Sequence, residues 1–237
     1  MWTLLDTGVA SAEENMRCDR ELLATLDEQQ YPILHLYDWH APSVTYGYLT
    51  RPEEYLDLEK SGEHGLHLTR RPTGGGIVFH LWDVAFSLLV PAHSDFFSTN
   101  TLTNYAFVHD VVRKVVCRFA EGRIDPYRLQ EDLLPLDSYC RRFCMAQPTK
   151  YDLLWKERKL VGAAQRQTKQ GFLHQGTISL CKPDFSLLQQ IVLPNREVLK
   201  AMSCYTAFLL AEEAGEEEYR AARNRIKYLL LEEFGNL

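Results

Sequence analysis

Three strand-like runs in the second half of the chain, KYDLLW (150–155), RKLVGAAQRQT (158–168) and GFLHQGTISL (171–180), are joined by almost nothing: a Lys-Glu turn and a Lys-Gln-Gly turn. So few residues cannot carry a crossover to a parallel neighbour, so the runs must fold as an antiparallel meander. A βαβ repeat is thereby excluded here. The expected class is α+β, a mostly antiparallel sheet flanked by helices.

The remaining segments fit that plan. SAEENMRCDRELLATLD (11–27) sets Ser11 three residues ahead of Glu14, a capping box, and then places Met16, Leu22, Leu23 and Leu26 on a helical stripe. YPILHLYDWHAPSVTYGYLT (31–50) is aromatic and β-branched and breaks at Ala41-Pro42, which predicts two short strands joined by a turn. Tyr105, Val108, Val112, Val115 and Phe119 recur at helical spacing, predicting a central amphipathic helix over 102–119. The tail, EEEYRAARNRIKYLLLEEF (216–234), sets acids ahead of bases as the helix dipole prefers. EDLLPLDSYCRR (131–142) is the least regular stretch and is expected to be a loop covering a sheet edge.

With 237 residues, 46% of them hydrophobic and 24% charged, the chain can bury a substantial core as one domain. Its formal charge of −6 argues against a protein that grips nucleic acid along the phosphate backbone. No stretch approaches the length of a membrane span, so the expected surroundings are cytoplasmic, with no membrane and no nucleic acid as partners. The six cysteines, at 18, 117, 140, 144, 181 and 204, lack paired metal-site spacing. Cys140 and Cys144 with His174 could be imagined around zinc, but a fourth ligand is not evident and no protein metal site is expected.

RRPTGGGIVFH (70–80) carries the chemistry. Three glycines between strand-like stretches let consecutive backbone N–H groups converge on an anion or lie against a flat ligand, with Arg70 and Arg71 adding positive charge. A glycine hairpin with solvated arginines would look the same. The run is neither a P-loop nor a dinucleotide fingerprint, since GK[ST] and GxGxxG are both missing.

Read whole, RRPTGGGIVFH closely resembles the motif of lipoate-protein ligases, in the wider family of biotin and lipoate attachment enzymes. ENMRCDRELL (14–23) resembles that family's N-terminal helix, WHAPSVTYGYL (39–49) its first hairpin, and 158–180 its lysine-bearing strand and downstream substrate strand. The resemblance implies a fold like the catalytic domain of class II aminoacyl-tRNA synthetases and biotin–lipoate ligases. It spans 1–237 as a single domain, with no separate C-terminal accessory domain evident. The biotin signature GRGRxGR is absent.

What the resemblance implies for activity is attachment of a lipoyl or octanoyl group to a lysine of a carrier: the lipoyl domain of a 2-oxoacid dehydrogenase or the glycine-cleavage H protein. In the ligase branch ATP, with Mg2+, activates lipoate or octanoate as an acyl adenylate. By similarity Arg71, Gly76, Ile77, Val78 and Phe79 would contact the nucleotide or adenylate, Gly74 and Gly75 would shape the loop, and Lys159 and Gly162 would belong to the same site. Thr73, Arg166, His174 and Gln175 would lie near the acyl group. Lys159 is the chief catalytic expectation, because an ammonium beside the carbonyl and phosphate offsets charge developing there. Gln175 stands where ligases show a second histidine, and Leu81 replaces the acid that often follows the motif's His80.

Cys144, fifteen residues before Lys159, resembles the nucleophile of a sister branch, the cysteine octanoyltransferases, which need no ATP. There a thiolate takes octanoyl from acyl carrier protein as a thioester, the lysine favouring the charged sulfur. Gly76 and the Val-Phe-His ending favour the ligase narrowly. A third possibility is a non-catalytic protein that binds an acyl group or carrier domain.

Overall fold

The computed structural model describes residues 1–193 and 197–237. In chain order the elements are β1 (Thr3–Ala10), α1 (Ala12–Ala24), β2 (Ile33–Trp39), β3 (Ser43–Tyr46), α2 (Leu58–Glu63), β4 (His67–Arg70), β5 (Ile77–His80) and β6 (Asp83–Pro91). Then come α3 (Thr101–Phe119), β7 (Tyr127–Arg128), β8 (Leu153–Trp155), β9 (Arg158–Gln167), β10 (Gly171–Ser179), α4 (Phe185–Ile191), α5 (Val198–Tyr205) and α6 (Glu216–Gly235). The α+β class read from the short turns is what the molecule adopts.

The strands form two sheets, one of seven in the order β1-β2-β6-β10-β9-β8-β7 and one of three in the order β4-β3-β5. The meander β8-β9-β10 is antiparallel throughout. The expected hairpin over 39–49 is not one. β2 pairs with β1 and β6, whereas β3 pairs with β4 and β5, so the turn at Ala41-Pro42 carries the chain from one sheet to the other. Residue type could announce two strands there but not their partners. The glycine run likewise does not close a hairpin: it joins β4 to β5, which flank β3 on either side.

α3 and α6 cover one face of the large sheet, where Phe86, Leu88, Val112, Val115, Ile226 and Leu230 form the main core. Each fully buried aliphatic or aromatic side chain there contributes roughly 1.5–3 kcal/mol. The small sheet has its own core, in which Val44, Ile77 and Phe79 meet Phe143 of the irregular loop together with Leu188 and Met202. α1 touches strands of both sheets. It starts at the capping box: Ser11 Oγ accepts from the Glu14 N–H at 3.2 Å, and the Glu14 carboxylate accepts from the Ser11 N–H at 2.9 Å. Such a cap stabilises a helix by about 1 kcal/mol, here fixing the helix that joins the two sheets. No helix among the described residues is long and apolar enough to cross a membrane.

Candidate active site

A cleft lies between the two sheets. Strand alternation selects its walls. Val78 and His80 of β5 face it, while Ile77 and Phe79, expected as nucleotide contacts, turn their side chains into the second core. On the other wall Gly162 and Ala164 of β9 lie beside their cross-strand partners Thr177 and Gln175 of β10. Met16, Tyr37 and Ala85, packed together with Trp39, supply an apolar lining of the kind an alkyl chain would fill.

The glycine turn is occupied by the protein itself. Gly75 has φ of +84°, the left-handed region. A β-carbon at Gly47 would strike the Gly75 carbonyl oxygen, and one at Gly76 would strike the backbone of Arg142. The Arg71 side chain folds into the turn, donating from Nε (3.1 Å) and Nη2 (2.7 Å) to the Gly74 carbonyl and from Nη1 to the Thr45 carbonyl and hydroxyl (3.3 Å each). The bare backbone thus approaches other backbone and a guanidinium. Arg71 is only 4% exposed, and among the described residues it has no carboxylate partner. Burial pushes its guanidinium below the ordinary value, and the neighbouring Cys144 side chain, electrostatically and by hydrogen bonding, pushes it back up.

Cys144 reaches the cleft because its loop docks on β5: the Cys144 N–H donates to the Ile77 carbonyl at 2.9 Å, and Phe143 stacks on Phe79 with ring centroids 6.2 Å apart. The Asp137 carboxylate holds the start of that docking turn by accepting from the Tyr139 and Cys140 N–H groups at 2.8 and 2.9 Å. The loop expected over a sheet edge therefore presents a thiol instead of merely covering hydrogen-bonding groups.

Lys159 lines the same cleft, 8% exposed, with Nζ 2.8 Å from Asp152 Oδ2. Asp152 is fixed in turn by the Thr149 N–H at 2.7 Å and the Thr149 hydroxyl at 3.0 Å. In a regular strand, residues three apart point to opposite faces. Here the register between β8 and β9 slips by one residue after Lys159, a bulge that turns Lys159 to the face of Gly162. Any β-carbon at Gly162 would collide with Cε of Lys159, so that glycine makes room for the lysine stem.

The remaining expected residues divide. Thr73 is fully buried and donates to Gln175 Oε1 at 2.7 Å, while Gln175 Nε2 donates to Asp19 Oδ2 at 2.6 Å. Asp19 also accepts from Ser87 at 2.6 Å and pairs with His35 Nδ1 at 2.8 Å. The amide at 175 thus accepts and donates at once inside a buried network, a bridge that needs no titrating group. Arg166 is exposed and donates to the Pro72 carbonyl at 3.2 Å, and its guanidinium and that of Arg70 both lie over the Tyr48 ring, 5.4 and 5.1 Å from the centroid. His174, expected at the acyl group, is on the opposite face of the sheet because its neighbour Gln175 takes the cleft side. There it contacts Gln165 at 2.8 Å and meets the rings of Tyr105 and His109 edge-on. Burial, and then the proximity of His109, hold the His174 imidazole well below its ordinary value.

Sequence reasoning missed Asp152 and Asp83. Asp152 lies in the run read as a strand from 150, but β8 starts only at Leu153, and nothing in that run marked the aspartate as a partner for Lys159. The acid absent after His80 arrives three residues later as Asp83, whose Oδ2 is 2.7 Å from His80 Nδ1. Among the described residues, no group of three His, Cys, Asp or Glu side chains is placed to hold a metal ion.

Comparison with known proteins gives the family and the fold. The model of the lipoyl protein ligase A/B catalytic domain matches residues 11–206. Octanoyltransferase LipM of Geobacillus kaustophilus (strain HTA426) is 28% identical over 203 residues, covering 84% of this chain and 72% of that protein. LipM of Bacillus subtilis (strain 168) is 25% identical over 206 residues, with 85% and 73% covered. Among solved structures, a putative lipoate protein ligase of T. acidophilum with bound lipoic acid superposes with a TM-score of 0.69 at 22% identity, covering 98% of this chain and 86% of that one. Lipoate-protein ligase A bound with ATP gives 0.64 at 22% identity, covering 99% and 85%. At those identities the structural likeness concerns the fold.

Proposed function

The chain belongs to the lipoyl protein ligase A/B catalytic-domain family, enzymes of protein lipoylation, and from that premise we propose that it is an octanoyltransferase working through a thioester on Cys144. The observation that carries this reading is the placement of Cys144 in the cleft beside the buried guanidinium of Arg71, a cation with no carboxylate of its own among the described residues. An uncompensated buried cation is costly unless an anion meets it. A thiolate at 144 is such an anion.

In this reading the Cys144 sulfur attacks the carbonyl of an octanoyl thioester on acyl carrier protein. The new S–C bond forms as the carrier's own C–S bond breaks, and the carrier thiolate leaves, taking up the proton that Cys144 lost. The amine of the target lysine on the lipoyl domain then attacks the Cys144 thioester. An amide forms, the C–S bond to Cys144 breaks, the thiolate returns, and one proton leaves the nitrogen. Negative charge develops on the acyl oxygen in both steps. The Cys144 N–H cannot answer it, being engaged with Ile77. Lys159 can, because its ammonium has three donors and Asp152 takes one.

This reverses the narrow preference for an ATP-dependent ligase that rests on Gly76 and the Val-Phe-His ending. Both features have internal work here: Gly76 lies against Arg142, and Phe79 packs on Phe143. The identity to LipM proteins supports the transferase as well. The deciding experiment incubates the purified chain with apo lipoyl domain and either octanoyl carrier protein without ATP, or lipoate with and without ATP, and weighs the products. Octanoylation without ATP is expected, with a transient adduct on Cys144, and Cys144→Ser should lose both. ATP-dependent lipoylation surviving Cys144→Ser would establish the ligase, and no modification under any condition would leave a binding protein.

A further inference from the structure

Arg71 could sit beside Cys144 in several orientations, yet a line of buried groups runs from its far side into the protein. Arg71 Nη1 donates to Thr45 Oγ1 at 3.3 Å, Thr45 Oγ1 is 2.9 Å from His80 Nε2, and His80 Nδ1 is 2.7 Å from Asp83 Oδ2. All four residues are less than 10% exposed. Trp39 lies over the His80 ring at 4.3 Å, and Asp83 Oδ2 also accepts from the Thr177 hydroxyl.

The protons along this line can be placed by valence. Thr45 has one hydrogen to give. Its oxygen has two lone pairs, so with Arg71 donating to one of them the hydroxyl can still give its hydrogen to a His80 Nε2 that carries a lone pair. The Asp83 carboxylate, an acceptor only, favours a proton on Nδ1, the nitrogen 2.7 Å from it. The carboxylate therefore selects the tautomer, the tautomer orients the hydroxyl, and the hydroxyl offers its lone pair to the guanidinium.

We propose that Asp83, His80 and Thr45 are positioning residues that aim the Arg71 guanidinium at Cys144, and that Arg71 rather than Lys159 is the cation that stabilises the Cys144 thiolate. The assignment rests on Cys144 as the nucleophile. Lys159 is less suited to that task because Asp152 neutralises it at 2.8 Å, whereas among the described residues Arg71 donates to carbonyls and a hydroxyl and shares the cleft wall with the Cys144 thiol. Among the described residues, the charged or titratable groups that line the cleft with Cys144 are Arg71 from the glycine turn, Lys159 from β9 with Asp152 paired to it, His80 from β5 and Tyr37 from β2, with Tyr105 of α3 close enough to act on both Cys144 and Arg71. Burial holds the Tyr105 phenol protonated well above its ordinary range, so it adds no charge near neutral pH.

The test reads the thiolate directly. The full chain is alkylated with iodoacetamide across pH and the Cys144 peptide is quantified by mass spectrometry, which separates it from the other five cysteines. Arg71→Met should raise the midpoint of reactivity by about one pH unit or more. Asp83→Asn and Thr45→Val should raise it by a smaller amount in the same direction, and Thr45→Ser should restore it. Lys159→Met/Asp152→Asn, which removes the ion pair without leaving a lone charge, should raise it less than Arg71→Met. Nitrogen NMR of the imidazoles should find His80 protonated on Nδ1 in the natural protein and on Nε2 in Asp83→Asn, where the amide can donate to Nδ1. The proposal fails if Asp83→Asn and Thr45→Val leave the midpoint unchanged in folded protein, if the ion-pair variant moves it most, or if natural His80 carries its proton on Nε2. Alkylation is read without acyl transfer. Transfer that survives Cys144→Ser would instead overturn Cys144 as nucleophile, whatever the alkylation profile.

Discussion

Arg71 and Lys159 are both buried, both cationic and both in the wall of one cleft, but the protein holds them in opposite ways. Lys159 has a carboxylate at 2.8 Å, and that carboxylate is itself pinned by Thr149. Arg71 is held by carbonyl dipoles and one hydroxyl. A paired cation is at rest whether or not substrate is bound, and it offers spare N–H groups. One held by neutral dipoles keeps its charge unspent until an anion forms. In the proposed transfer the two positions divide the work, the arginine acting before attack and the lysine as the oxyanion develops.

Removing Lys159 should do the most damage to folding. Lys159→Met strands the buried Asp152 carboxylate and should cost about 3–5 kcal/mol in denaturant unfolding. Adding Asp152→Asn should recover most of that stability without recovering transfer. If the single variant is as stable as the natural chain, the pair is not the closed unit described here.

Arg71→Met should fall mainly on activity, lowering the rate of octanoyl transfer by about 10²–10³-fold, with a smaller loss of stability than Lys159→Met. A larger stability loss at 71 than at 159 would erase the contrast. Gly162→Ala probes the lysine from behind: its methyl must displace the Lys159 stem, so roughly 1–3 kcal/mol of stability and a measurable part of the turnover should be lost together. An unaffected rate would place the working lysine conformation elsewhere.

The smallest effect is a control from the opposite face of the sheet. His174 and His109 are held below their ordinary values, burial being the main cause in each. The unfolded chain binds their protons first as pH falls, so their contribution is complete above about 6.5 and is lost as acid is added below it. The slope should reach up to about 1.4 kcal/mol per pH unit for each imidazole. His174→Leu should flatten it in unfolding measured between pH 7 and 5. A pH profile of transfer that changes with His174 more than with Arg71 would break the separation between the two faces.

How much of this the sequence disclosed depended on range. The β8–β10 meander was legible because its connections are too short for anything else, and α1 because Ser11 and Glu14 cap each other within one turn. The small sheet was not legible, since β3 and β4 pair in parallel across a helix and nothing in either strand names the other. At the site, Arg71, Cys144 and Lys159 were marked by residue type and motif. His174 was misplaced by one step of strand alternation, and the acid of His80 was sought at the next residue when the fold supplies it at Asp83.

The sequence by itself determined the parts whose causes are local: capped helices, an antiparallel meander, a turn that only glycine can make, and a thiol fifteen residues ahead of a lysine. Which cation is neutralised was decided only in three dimensions. Electrostatic energy and hydrogen bonding follow distance through space. Here the docking of Cys144 on β5 and a one-residue bulge in β9 hand Asp152 to Lys159 and leave Arg71, without a carboxylate among the described residues, in the same cleft as the sulfur.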